Sequence, residues 1–166
     1  MSGEPQILTT SIRQRAAEGL SVGDRFTITR CFSLEDIASF ATLSRDYNPV
    51  HCDSHFATLK GMREPIAHGL LTASLITEIG GQIGWLASGM SFKFKQPVYA
   101  GETLTCDWVI HEIDERARAK AKISVINGDG VTVLEAEITG VLPNKNERQR
   151  LIQMLTEGDP TNGVKR

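Results

Sequence analysis

The sequence predicts an α+β fold in which an antiparallel sheet curls around one buried helix. Three observations lead there. Residues Ala67 to Thr77 (AHGLLTASLIT) carry no formal charge with His68 neutral, and apolar or small residues fall on every side of the helix they would form; a helix apolar all round is buried. Beyond it the hydrophobic period changes from helical to two. The strands that follow are consecutive and not interleaved with helices, which separates α+β from α/β. A sheet of about five strands must then wrap the helix to cover all its sides.

Each element has its own signal. Residues 1–20 are polar with scattered apolar positions, read as an N-terminal arm, and have no apolar h-region to suggest a secretory signal. Ser21 to Phe32 opens on a Gly-Asp turn and alternates Phe26 and Ile28 with Arg25, Thr27 and Thr29, as a strand does. Ser33-Leu34-Glu35-Asp36 matches a capping box, and Leu34, Ile37, Ala38, Phe40 and Ala41 continue at helical spacing, so a helix is expected over 34–44. Asp46 to Pro49 (DYNP) is turn chemistry that ends it, and 53–60 reads as a short second helix. Pro65 suits a helix opening and Gly80-Gly81 a helix stop. Met90–Val98, Thr103–Asp114, Arg118–Asn127 and Val131–Leu142 read as strands, the last two joined by the hairpin sequence Asn127-Gly128-Asp129-Gly130. Residues 144–166 form a polar C-terminal tail with one helix over 145–155, which leaves 21–143 as the domain proper.

Composition bounds the function. The chain has 166 residues and 18.2 kDa, the size of one domain. With 40% hydrophobic and 23% charged residues it is globular, not disordered. A net charge of −2 argues against a general nucleic-acid binder and a polybasic membrane anchor. The longest charge-free run, Ile79 to Phe92, is broken by Gly80, Gly81, Gly84 and Gly89 and is too short to span a membrane. Cys31, Cys52 and Cys106 are widely spaced with no C-x-x-C pair, so neither a disulfide framework nor a zinc site is expected, and a reducing cytoplasm is the default.

Two segments carry chemistry. Phe40 to His55 (FATLSRDYNPVHCDSH) places Asp46 and His51 five residues apart across Asn48-Pro49, a candidate acid–base pair, although D-x-N-P by itself is more often only a turn. Arg63 to Thr77 puts His68-Gly69 at the start of the buried helix. Free N–H groups and the positive end of the helix dipole there can hold a developing oxyanion, and glycine lets a carbonyl approach closely; tight packing is the plainer reason for the glycine. Other features read blandly. His51 and His55 are four apart but lack an evident third metal ligand, so no metal is expected. Gly80 to Gly84 follows a helix, unlike a phosphate loop. Cys52 is expected to be a small packed residue. Glu78, a carboxylate near the end of a buried helix, is expected where that helix emerges or at a subunit interface.

Taken together, three ordered motifs resemble the MaoC-like dehydratases, also called (R)-specific enoyl-CoA hydratases or the hydratase 2 group. They are Ser44-Arg45-Asp46-Tyr47-Asn48-Pro49-Val50-His51 after Phe40, Pro65-Ile66-Ala67-His68-Gly69-Leu70-Leu71-Thr72-Ala73-Ser74, and Phe94-Lys95-Gln96-Pro97-Val98-Tyr99-Ala100-Gly101-Glu102-Thr103. The resemblance covers roughly residues 20–143. It implies a hot-dog fold, a homodimer or dimer of dimers with the site near the interface, and a hydro-lyase of fatty acid metabolism. The reaction implied is reversible addition of water to a trans-2-enoyl thioester. Asp46 and His51 match the family's catalytic pair and Gly69 its oxyanion donor. Ser74 and Thr77 are candidates to orient the pair, with Asn48 and His68 as further orienting or substrate-side residues. No metal or redox cofactor is implied; the substrate itself carries coenzyme A or an acyl-carrier pantetheine. Two features depart from the family: Arg45 stands where glycine is usual, and the link after the central helix, which often shapes the acyl pocket, is short. The rival readings are a hot-dog acyl-CoA thioesterase, for which Glu78 is the only central-helix carboxylate, and a non-catalytic acyl-thioester binding protein, for which Arg45 is the support.

Overall fold

A computed structural model describes residues 10–162. In chain order its elements are α1 (Ile12–Glu18), β1 (Arg25–Cys31), α2 (Leu34–Ser44), a 3-10 turn (Pro49–His51), α3 (Ser54–Leu59), α4 (Gly69–Ile83), β2 (Leu86–Phe94), β3 (Thr103–Ile113), β4 (Arg118–Ile126), β5 (Thr132–Val141) and α5 (Lys145–Thr156). The five strands form one antiparallel sheet in the order β1-β3-β4-β5-β2. Helix α4 lies in its curl, and the arrangement is the hot-dog fold.

The burial pattern explains the wrap. Leu75, Ile76, Ile79 and Ile83 of α4 are fully buried in one cluster with Leu104, Trp108 and Ile110 of β3 and Leu134 and Ile138 of β5. Each such side chain contributes about 1.5–3 kcal/mol on leaving water. Strands β3, β4 and β5 alternate buried and less buried residues, as half-covered strands must. The edge strand β2 differs: none of its residues is buried, and Leu86, Met90 and Phe94 are 73%, 44% and 55% exposed.

Four boundaries depart from the sequence reading. Helix α4 runs through Gly80-Gly81 and stops at Gly84, whose φ of 78° is the left-handed conformation glycine adopts freely. Gly80 is buried beside the Trp108 ring, so it serves packing. Pro65 does not open the helix; Ile66 bridges to Tyr99 and the Ala67 N–H donates to the Val98 carbonyl at 2.7 Å, so the helix starts at Gly69. Strand β2 begins at Leu86, only two residues after α4, and ends at Phe94. There the Lys95 and Gln96 N–H groups both donate to the Val133 carbonyl, and Gln96-Pro97 leads the chain away from the sheet.

The fourth concerns the N-terminal arm. Residues 1–9 lie outside the described residues, as do 163–166 of the tail, but 12–18 form a helix packed on α4 and α5. Its Arg13 is buried, and its guanidinium donates to the carbonyls of Gly81 (3.1 Å) and Gln82 (3.4 Å), to Thr161 Oγ1 (2.6 Å) and to Asp159. The last carbonyls of an α-helix have no partner within it, and a cation there is favoured by the helix dipole. Arg13 therefore closes the C-terminal end of α4 from 68 residues away. The Thr161 hydroxyl, together with Arg13, holds the Asp159 carboxyl down from 3.8 to about 2. A depressed carboxyl stabilises the fold above its unfolded value and loses that contribution as pH falls through its folded one. The expected result for Arg13→Met is a thermal midpoint several degrees lower at neutral pH, with the gap from the native protein narrowing between about pH 4 and pH 2. Circular dichroism melts of both proteins across that range check it.

Candidate active site

The site is assembled from one loop, one helix start and one strand exit. Helix α2 opens on the Ser33/Asp36 capping box and ends at Arg45, which adopts the left-handed conformation (φ 60°, ψ 21°). Arginine thus takes the backbone shape that glycine would take in this motif, and the turn is kept. Three polar side chains then fix the loop. Asp46 Oδ1 accepts the Asn48 N–H at 3.1 Å, Asn48 Oδ1 accepts the Val50 N–H at 3.2 Å, and Asp53 Oδ1 accepts the Phe56 N–H at 2.6 Å to cap α3. Asn48 is therefore the N-cap of the 3-10 turn that carries His51. The loop is strapped to the entrance of α4 by the Ile66 N–H, which donates to the Val50 carbonyl at 3.1 Å.

Backbone carbonyls fix one N–H on each imidazole, since a carbonyl oxygen only accepts. His51 Nδ1 lies 2.8 Å from the Ile66 carbonyl and so carries its proton, which leaves Nε2 as the basic nitrogen of the neutral ring. That Nε2 is 3.7 Å from Asp46 Oδ2. His68 Nε2 lies 3.0 Å from the Asp46 carbonyl and carries its own proton. The His68 ring stacks on His51 with centroids 3.8 Å apart, and Phe40 flanks it at 4.9 Å. Gly69 begins α4, so its N–H has no partner within the helix, and His68 gives no side-chain cap. A Cβ on Gly69 would lie 2.7 Å from the Phe94 ring. Asp46, His51, His68, Gly69 and Phe94 line an open cavity of about 470 Å³, with Leu70 and Val133 among its apolar walls.

The structure thus brings Asp46, His51, His68 and Gly69 to one cavity. It does not bring Ser74 or Thr77 there. Both lie at least one turn further along α4, and their hydroxyls donate to the Leu71 and Ser74 carbonyls of their own helix at 2.6 and 2.7 Å. Thr72 lines the cavity instead, and its position three residues after Gly69, on the same helix face, was the signal available. Cys52 is exposed and not packed. His55 sits exposed on α3, a different element from His51. Glu78 is largely buried, bonded to Arg30 at 3.2 Å, and does not line the cavity. Ligand-type atoms of Asp46, His51 and His68 lie within 4.8 Å of one another. One nitrogen of each ring is already held by a backbone carbonyl, His51 Nδ1 by Ile66 and His68 Nε2 by Asp46.

Fold and cavity define a hot-dog protein equipped for acid–base chemistry on a ligand held at a helix N-terminus. The model of the MaoC-like domain matches residues 14–133, and the chain belongs to that family, the MaoC-like dehydratases. It is 31% identical to an (R)-specific enoyl-CoA hydratase of Aeromonas caviae, over 77% of this chain and 99% of the relative. It is 32% identical to a 3-hydroxybutyryl-CoA dehydratase of Methylorubrum extorquens, over 85% and 92%. Among solved structures, the (R)-hydratase of A. caviae superposes with a TM-score of 0.70 over 76% of this chain and 99% of that one, at 31% identity. An R-hydratase from Pseudomonas aeruginosa gives 0.71 over 77% and 85%, at 29% identity.

The left-handed Arg45 generates a prediction. A non-glycine residue there costs about 1 kcal/mol, so Arg45→Gly is expected to stabilise the protein by up to about that amount. Urea unfolding measures it, and an unchanged midpoint would show that Arg45 is unstrained.

Proposed function

We propose that this protein adds water reversibly to a trans-2-enoyl thioester to give the (R)-3-hydroxyacyl thioester. The observation that carries the reading is the facing of His51 Nε2 and Asp46 Oδ2 across 3.7 Å beside the start of α4. A water about 2.8 Å from both atoms sits between them, close enough to be held and deprotonated by the pair. Its oxygen bonds to C3, the C2–C3 π bond breaks toward the carbonyl, and the proton taken from the water is delivered to C2. The charge that develops on the thioester oxygen is met by the Gly69 N–H and the positive end of α4. Every atom of one water enters the product, and neither an electron acceptor nor a metal is needed for the balance.

The acyl chain runs along the apolar wall of Leu70, Phe94 and Val133, and the carrier is coenzyme A or an acyl carrier protein, the two kinds that relatives' names record. A thioesterase reading is disfavoured by the Arg30–Glu78 ion pair, which holds the only central-helix carboxylate away from the cavity. Three free thiols support a reducing compartment such as the cytoplasm, and no helix of the described residues is long and apolar enough to cross a membrane.

With crotonyl-CoA the expected result is loss of enoyl absorbance with no release of free thiol. Asp46→Asn with His51→Gln is expected to lower kcat by about a thousandfold or more in a folded protein. Full activity in that double variant, or thiol release at the rate of enoyl loss, would sink the assignment. The outer edge of β2 supports a homodimer, since an edge strand paired on one side only, with exposed Leu86, Met90 and Phe94, is a ready surface for a second copy. Light scattering is expected to give twice 18.2 kDa. Met90→Lys is expected to shift the mass toward the single chain.

A further inference from the structure

His68 touches both members of the pair and neither the reacting water nor the substrate carbonyl is needed to explain it. Its Nε2–H donates to the backbone carbonyl of Asp46 at 3.0 Å, and its ring is stacked against His51 at 3.8 Å. The side chain is 2% exposed, yet its Nδ1 is buried with no hydrogen-bond partner. A buried acceptor without a donor is costly, and a phenyl ring would fill the same space without that cost. Packing alone therefore favours phenylalanine at this position, and what only the imidazole adds is the N–H on Asp46.

The two restraints have distinct targets. Asp46 sits on an exposed loop, with its side chain about half exposed. Its carboxylate is fixed on one oxygen by the Asn48 N–H, and its main chain is pinned by His68. The His51 ring is tied at one edge by the Ile66 carbonyl and covered on one face by His68, so both of its side-chain torsions are set. We infer that His68 is the positioning residue of the pair, a neutral Nε2–H imidazole that holds Asp46 Oδ2 and His51 Nε2 at the separation one water can bridge. The inference rests on the hydration reading for its consequence, but the arrangement itself is independent of substrate.

The test has a part that needs no turnover. Long-range nitrogen–proton correlation spectra of the native protein, labelled in its histidines, are expected to show His68 protonated on Nε2 with an unbonded Nδ1, and His51 protonated on Nδ1. The opposite tautomer at His68 would overturn the inference whether or not the protein turns over crotonyl-CoA; lack of turnover in the native protein would count against the hydration reading alone. The variants give the second part. His68→Phe keeps a ring on His51 and removes the donor, and is expected to lower kcat by tenfold to about a hundredfold with KM nearly unchanged. His68→Gln, whose amide can reach the Asp46 carbonyl, is expected to recover part of that loss. Native kcat in a folded His68→Phe protein, a loss confined to KM, or equal losses in both variants that follow a common drop in thermal midpoint would each overturn it.

Discussion

Helix α4 has to bury the face that carries Leu71, Leu75, Ile76, Ile79 and Ile83, and the rest of the molecule follows from how that is done. Against the expectation from its all-round apolar sequence, the stripe of Leu70, Thr77 and Gly81 stays exposed in the single chain. This 15-residue helix sets its inner face of Leu75, Ile76, Ile79 and Ile83 into the curl of the sheet. Burial of the helix also buries the problem of its ends, where four N–H and four carbonyl groups lack partners. The two ends are treated differently. At the C-terminus the chain supplies Arg13 from α1 and Gly84 from the helix itself. At the N-terminus no side chain caps the helix, and the free N–H groups open onto the cavity that holds Asp46 and His51. The end left without a side-chain cap is the end to which the proposed reaction assigns the thioester oxygen.

The acid–base pair borrows its order from the backbone. His51 and His68 each give one N–H to a main-chain carbonyl, one belonging to the strap before α4 and the other to Asp46 itself. The strap is in turn sewn to the strand exit by the Ala67–Val98 hydrogen bond. Loop, strap and strand exit are therefore one connected body, and side chains on an otherwise exposed loop acquire the fixity of the core. Both rings also receive their tautomers from this wiring, which directs the basic nitrogen of His51 toward Asp46.

Local signals in the sequence were legible wherever the relevant physics is local. The capping box at Ser33, the turn at Asp46–Pro49, the Asn127–Gly130 hairpin and the period-two strands all appear at or near the expected positions. The three ordered motifs, through their resemblance to the MaoC-like family, pick out Asp46, His51 and Gly69, and the structure places these three on one cavity. What could not be read depends on distant partners. Gly80 continues the helix because Trp108, 28 residues on, needs a small neighbour. Arg13 looked like part of a polar arm because its acceptors lie near residues 81 and 160. Ser74 and Thr77 are polar residues of the same helix, but the face that reaches the cavity belongs to Thr72. Arg45 was an apparent misfit, and the structure answers it with a backbone torsion and not with a side-chain contact.

The two-residue link between α4 and β2 has a consequence for how such a chain can diversify. Gly84 is held left-handed with Pro143 against it, and Trp85 is buried with its ring edge on to Trp108. No slack remains there in which extra residues could be looped out to enlarge or roof the acyl chamber. On the proposed reading of the cavity, its depth is then set by the side chains at Leu70, Phe94 and Val133, one bulk at a time. Preference for acyl length would therefore drift in small graded steps, without the abrupt jumps that a lengthened segment permits.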